Sequence, residues 1–371
     1  VVRIPAIKEQ TGASAGALGL ALLGVSAGAV ATMMVTGRLC GRLGSHPVTV
    51  AAAILMSLGI ALPPLTHSAL ALGLVLLVFG AAYGGINVAM NSAAVDLVAA
   101  LRRPVMPSFH AAFSVGGMLG AGLGALLAGH LSATAHLLLL TAVGLVVSTA
   151  AGRVLLSHPA PRPTPSADST EPARKVSGGR ERGLVAVFGL VALCTAYGEG
   201  ALADWGALHL EQDLAARPGV AAVGYSVFAL AMTLGRLSGT ALLERLGQTR
   251  LLVAGGATAA VGMLVGSLAP TVWAALAGFA VTGLGLANIF PVAVGRAGAL
   301  AGPAGVAAAS TFGYGGMLLG PPAIGLLAER FSLSSALTTV AALAAVAAVV
   351  AYATRRATAV DTGGGADVSG G

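Results

Sequence analysis

Carboxyl groups are scarce in this chain, so the setting of each one carries information. Glu199 and Asp204 stand in LVAVFGLVALCTAYGEGALADW (184–205), an apolar run without lysine or arginine. Glu199 lies about 15 residues into that run, roughly 22 Å along a helix at ~1.5 Å per residue. An ionisable group at such a depth in an apolar medium is costly and marks a candidate site. A low-dielectric setting favours the uncharged form of a carboxyl. A carboxyl that gains and loses a proton can couple proton movement to another process, and Glu199 is the first candidate for that role. The bland alternative is a carboxyl capped by a neighbouring helix for structure alone. Asp204, beside Trp205 at the end of the run, reads either as a solvated helix end or as part of an outer gate.

Three amides form the second group. Asn87 and Asn91 are four residues apart and share a helix face. Asn288 follows a similar glycine-rich stretch. An asparagine amide both donates to and accepts from hydroxyls and amides, so these three are candidates for contact with a polar solute. Hydrogen bonding between helices is the competing explanation. Tyr197 and Tyr314 could add ring contacts. Asp96 and His110 flank LRRPVMPS and are expected at the membrane surface with Arg102 and Arg103. Arg236 and Arg296 are expected near cytoplasmic helix ends, as partners for Glu244 and Asp96. The sequence shows no nucleophile–base constellation, paired catalytic carboxylates or metal-ligand spacing, and no Walker motif. Enzymatic activity, ATP and cofactors are therefore not expected. Cys40 and Cys194 form no metal or disulfide pattern.

The elements that must position these residues follow from composition. Of the 371 residues only 9% are charged and 56% are hydrophobic, with a mean hydropathy of +0.90; a soluble protein carries about 25% charged residues. Runs of about 20 apolar residues match a bilayer core. Eleven occur: 15–36, 47–66, 69–95, 109–130, 134–156, 184–205, 220–243, 250–269, 272–295, 308–328 and 333–354. In lipid each must be a helix, because every backbone group has to be paired internally; a barrel would show short alternating strands instead. The chain thus reads as an all-α polytopic membrane protein. Its net charge of +7 would suggest nucleic acid in a soluble domain, but here the basic residues sit between the apolar runs. Sixteen of the 20 lysines and arginines fall in one alternate set of loops and four in the other. That places the linker 157–183 and the C-terminus in the cytoplasm. HPAPRPTPSADSTEPARKVSGGRERG (158–183) is expected to be flexible, and residues 357–371 form an expected disordered tail.

FSVGGMLG at 113–120 returns as FGYGGMLLG at 312–320. Arg42-Leu43-Gly44 returns as Arg245-Leu246-Gly247, and Asn87 as Asn288, at nearly the same spacing. The chain therefore reads as two copies of one unit, an N-terminal bundle (1–156) and a C-terminal bundle (184–356). Such repeats build transporters of two parallel halves about an axis along the membrane normal. Gly116, Gly120 and Gly124, echoed by Gly316 and Gly320, are expected on close-packed helix faces. They are not nucleotide loops, since no strand precedes them. The first copy is shorter at its front by about one membrane span, so it holds five helices against six. VVRIPAIKEQTG is then expected to be the loop after an absent first helix, matching DWGALHLEQDL (204–214). It lacks the apolar core of a signal peptide.

With these features together, the chain resembles the major facilitator superfamily over nearly its whole length. GRLCGRLGSH (37–46) resembles that family's signature between helices two and three, G-x-x-x-D-R-x-G-R-R. Gly37, Arg42 and Gly44 match it, Gly41 replaces the aspartate, and Ser45-His46 replaces the second basic pair. The second half keeps an acid–base pair, Glu244-Arg245, at the corresponding place. RIPAIKEQ (3–10), NVAMNSAAVDL (87–97) and EGALADW (199–205) are similar to the fucose-permease-like bacterial branch. The resemblance implies a major-facilitator fold of two pseudo-symmetric six-helix bundles, eleven helices of which are present here. It implies a secondary active transporter of a small polar solute, such as a sugar, working by alternating access in the bacterial inner membrane, with protons as coupling ions. A proton-driven exporter of small apolar compounds and a non-transporting membrane sensor or scaffold are the alternatives.

Overall fold

The computed structural model describes residues 3–128, 130–158, 179–221 and 223–355, and every regular element among them is helical. In order these are α1 (Ile4–Thr11), α2 (Ala15–Leu43), α3 (Ser45–Gly59), a 3-10 turn (Pro63–Leu65), α4 (Ala69–Leu101), α5 (Met106–Ala128), α6 (Ala133–Ser157), α7 (Gly179–Gln212), α8 (Pro218–Ala221), α9 (Val223–Leu237), α10 (Gly239–Leu246), α11 (Gln248–Leu268), α12 (Val272–Leu286), α13 (Ile289–Arg330) and α14 (Leu333–Ala353). Among the described residues, nine stretches are long and apolar enough to cross a membrane. The longest, Val272–Arg330, has 59 residues and leaves helical geometry at Ala301 and Gly302. Divided there, and with the 23-residue α5 added, the described helices match the eleven apolar segments.

Local chemistry sets the helix starts. Ser14, Ser68, Ser132 and Ser332 each accept a hydrogen bond from the backbone N–H three residues on, at 3.1–3.2 Å. Thr271 does the same for Ala274 at 3.4 Å. Such caps satisfy amides that the first turn of a helix leaves without partners. Ser132 and Ser332, and Ser68 and Thr271, hold corresponding places in the two copies.

The joint between α2 and α3 is made by Gly44 (φ 88°, ψ 153°), and that between α10 and α11 by Gly247 (φ 73°, ψ 167°). This region of backbone space is essentially closed to residues with a Cβ, which explains why Arg-Leu-Gly recurs. Gly247→Ala is expected to cost about 1–3 kcal/mol, read as a lower midpoint in thermal unfolding of the detergent-purified protein.

Packing divides the chain into two units, residues 1–189 with 294–314 and residues 190–293 with 315–371. The bundle boundaries at 156 and 184 remain a division by repeat rather than by contact. In the first unit α2 and α3 both pack along α4, and α3 also packs along α6. In the second, α9 and α11 both pack along α12, and α11 also packs along α14. The same pairing twice is what two copies of one unit produce. The contacts are close because small residues let backbones approach. Gly80 and Gly84 of α4 lie against the backbone of Val25 and Ala29 on α2, and Gly278 and Gly285 of α12 against Gly266, Gly255 and Ala259 on α11.

Three expectations change. The repeated glycines do not behave alike. Gly316 abuts the Leu193 backbone, and a Cβ at Gly320 would stand 2.9 Å from the Tyr197 carbonyl oxygen. At Gly116 and Gly120 a Cβ would meet no described atom within 4 Å. The backbone of α7 provides the surface for Gly316 and Gly320. The opening stretch is also a helix over Ile4–Thr11 rather than a loop; Pro5 is tolerated in its first turn because no intrahelical N–H is needed there. Its match, 204–212, likewise continues α7. Finally, α7 begins at Gly179, inside the expected linker; the rest of that linker, 159–178, and the tail from 356 onward lie outside the described residues.

Candidate functional site

Glu199 sits well inside α7, half-buried. Its carboxylate Oε2 lies 3.7 Å from Nη2 of Arg236 on α9. The Arg236 side chain is only 9% exposed, and its Nε donates to the Ala287 carbonyl at 3.3 Å. The sequence reading places Arg236 near a helix end, with Glu244 or Asp96 as its partner; the acid found at 3.7 Å is Glu199. α9 ends at Leu237 and α10 starts at Gly239, so Arg236 stands in the last turn of α9. The rule that singles out Glu199 in the sequence applies equally to an arginine inside an apolar run.

Arg236 is held by the break between α12 and α13. Asn288, buried there, donates from Nδ2 to the Gly235 carbonyl at 2.9 Å, while Arg236 reaches back to Ala287. A Cβ at Gly235 would come within 2.6 Å of that of Ala287, so the two segments touch only because position 235 is glycine. The Oδ1 of Asn288 is buried and meets no donor among the described residues. A buried acceptor without a donor loses hydration with nothing in return. Tyr225 of α9 is within electrostatic reach of Glu199, Arg236 and Asp204; Asp204 itself is exposed.

The other predicted solute-binding residues fall into separate settings. Asn87 and Asn91 share one face of α4, as their spacing requires; the Asn91 amide donates to the Asn87 carbonyl at 2.7 Å. Asn87 Oδ1, like its repeat partner Asn288 Oδ1, is buried without a donor among the described residues. Tyr197 is buried and bonded to Thr339 Oγ1 on α14 at 2.9 Å, which makes it a link between helices. Tyr314 stacks edge-on against Tyr83 with centroids 5.8 Å apart. In the signature stretch, Gly37 allows α2 to approach Ala307 and Pro303. Arg42 is exposed there. Asp96 accepts a hydrogen bond from Ser45 Oγ at 2.8 Å. Ser45 thus meets an acid where the family signature has a basic residue. Glu244 and Arg245 are exposed on α10.

A further cluster joins α7, α11 and α14 at the end of α7. The wholly buried His209 ring lies 2.8 Å through Nδ1 from Asp213 Oδ2 and 3.1 Å through Nε2 from the Gly266 carbonyl. Ser334 Oγ donates to Asp213 at 2.7 Å. Partial burial pushes the Asp213 carboxyl up, but the hydrogen bonds from Ser334 and His209 outweigh it and hold the carboxyl below its ordinary value. A carboxyl lowered by folding adds stability that is present above the unfolded pKa and lost as pH falls through the folded one. Thermal melts from about pH 6 down to pH 3 should show this loss, and Asp213→Asn should flatten it.

The profile of the Major Facilitator Superfamily matches residues 2–202 and again residues 188–368. The chain belongs to the major facilitator superfamily. Superfamily relatives include an uncharacterized MFS-type transporter of Yersinia pestis, 34% identical over 342 residues, covering 91% of this chain and 86% of that protein. An uncharacterized transporter of Sinorhizobium fredii is 35% identical, covering 88% and 86%. Among solved structures, the superfamily transporter FucP in its outward conformation superposes with a TM-score of 0.79 at 15% identity, covering 95% of this chain and 93% of that one. The proton:xylose symporter XylE superposes at 0.73 and 14%, covering 95% and 90%. These relatives are transporters rather than enzymes, and the superfamily membership makes this chain a multi-pass membrane transporter.

Proposed function

We propose that the chain is a proton-coupled secondary transporter of a small polar solute in a bacterial inner membrane, with its C-terminus in the cytoplasm, working by alternating access. The observation that carries this is the Glu199–Arg236 pair: an acid and a base facing each other inside apolar helices at 3.7 Å. An intramembrane pair of this kind is costly to build and to break. Its carboxylate can be neutralised by one proton, which changes what the buried arginine can bind. The asparagines Asn87, Asn91 and Asn288 supply amides suited to hydroxyl groups, and two of them hold buried carbonyl oxygens without donors. FucP is described as a fucose:proton symporter and XylE as a proton:xylose symporter, which supports a hydroxylated solute here.

The test is direct. In lightly buffered proteoliposomes, adding a transported solute outside should make the external medium more alkaline as protons enter with it. A solute that enters without any proton movement would remove the coupling. Export of small apolar compounds is favoured by a cavity of about 810 Å3 among α3, α4, α5 and α6, lined chiefly by apolar side chains such as Met90, Leu97, Leu101, Phe109 and Phe113. Proton exchange triggered by lipophilic compounds and by no polar solute would select that second reading.

A further inference from the structure

We infer that the solute is a hydroxy-carboxylate, and that its carboxylate takes the place of Glu199 on Arg236. This deepens the proton-coupled reading and rests on it. Arg236 is almost wholly buried, and its guanidinium touches an acid on α7 and a backbone carbonyl at the α12–α13 break. Arginine cannot be deprotonated in a protein, so the charge at this place is permanent. Its planar fork matches a carboxylate through two parallel hydrogen bonds. At 3.7 Å the contact with Glu199 is an ion pair longer than a charge-assisted hydrogen bond, so a second carboxylate can compete for it. One residue beyond the Ala287 carbonyl that holds Arg236, Asn288 Oδ1 is buried without a donor among the described residues. A hydroxyl group would supply that donor. A permanent cation and an unsatisfied acceptor, on side chains that both bond across the α9 end and the α12–α13 break, fit a ligand with both a carboxylate and a hydroxyl.

The exchange balances without net charge. Glu199 takes up one proton and becomes neutral, and the solute anion replaces it at Arg236. One proton and one anion then move together. Protonation alone would remove the Glu199 charge from beside a buried arginine, and anion binding alone would place a second carboxylate beside Glu199 on the same guanidinium. Both half-loaded states are disfavoured, which couples the proton to the anion. α9 presents Arg236 and Tyr225, and α7 itself carries Asp204. α12 and α14, which also pack against α7 beside Glu199, carry no Asp, Glu, Lys, Arg or His. α13 packs against Gly200 through Met317 and, between Arg296 and Glu329, carries Tyr314 but no Asp, Glu, Lys, Arg or His.

Thermal stabilisation of the purified full chain tests this, with glycerate, gluconate and glucuronate set against glycerol, glucitol and glucose. At least one acid should stabilise the protein, with affinity rising about tenfold per unit fall in pH, while its neutral counterpart does not. Glu199→Gln imitates the protonated acid, so it should bind the same acid at least as tightly and without pH dependence. Arg236→Gln should abolish the shift. Should that variant fail to fold, Arg236→Lys, which keeps the charge but not the fork, should weaken binding about tenfold or more. Equal stabilisation by neutral polyols, no stabilisation by any acid, or pH dependence that persists in Glu199→Gln would overturn the inference. A neutral polyol that still drives proton entry would overturn it while leaving the proton-coupled transporter standing; solute entry without proton movement would overturn that broader reading instead.

Discussion

Glu199→Gln is expected to abolish uphill accumulation while leaving exchange intact. A pH difference of one unit across the membrane is worth about 1.4 kcal/mol per proton, which sustains a solute ratio of about ten for one coupled proton. The wild-type chain in proteoliposomes should approach that ratio when the outside is made acidic. Glutamine keeps the shape of the protonated side chain and can still hydrogen-bond, but it cannot release a proton. The variant should therefore equilibrate its solute at a ratio of one and still exchange labelled for unlabelled solute. A structural role for Glu199 predicts a different pattern, in which both modes fall together with the yield of folded protein. Retention of uphill accumulation in the variant would move proton coupling to another group, with Asp204 the next to change.

The second large effect is on folding. Any side chain at Gly80 would place its Cβ on the backbone of Val25, and α2 packs along α4 through this contact and through Gly84 against Ala29. Backbone cannot swing aside as a side-chain tip can, so Gly80→Leu must separate the helices. Overpacking in a tight core typically costs about 1–3 kcal/mol, and a displaced helix pair places this variant at about 3 kcal/mol or beyond. Gly41→Ala is the contrasting change. It lies in α2, the helix that Gly80 of α4 packs against, at a place where a Cβ meets nothing within 4 Å, and it gains helix propensity of about 0.5–1 kcal/mol. Fluorescence-detected size-exclusion chromatography after heating would separate the two, with Gly80→Leu aggregating first and Gly41→Ala surviving longest. Equal survival of all three proteins would mean that α2 and α4 do not rely on this contact.

Much of the architecture was legible because the membrane restricts the choices. Apolar runs of span length must be helices, and Arg-Leu-Gly at 42–44 and 245–247 marked two copies whose joints have the same backbone geometry. The close approach of Gly316 to α7 was also readable from its motif. A motif does not name its partner, however, and at Gly116 a Cβ would meet no described atom within 4 Å. The site was half legible. Glu199 stood out as a carboxyl in an apolar run. Arg236 did not, because its pairing depends on how α9 lies against α7, which composition does not show. Tyr197 reads as an aromatic near the acid in sequence, yet successive residues on a helix point in different directions, and its hydroxyl turns to Thr339.

Entrance counterflow is the most direct measurement of the central claim that this chain is a secondary transporter of polar solutes. Proteoliposomes would be loaded with unlabelled hydroxy-acids or sugars and diluted into traces of the same labelled compound, without ATP or an ion gradient. The account predicts a transient overshoot of label inside for at least one solute, retained in Glu199→Gln. Label that only equilibrates, at the rate of protein-free liposomes, for every sugar and hydroxy-acid would contradict it.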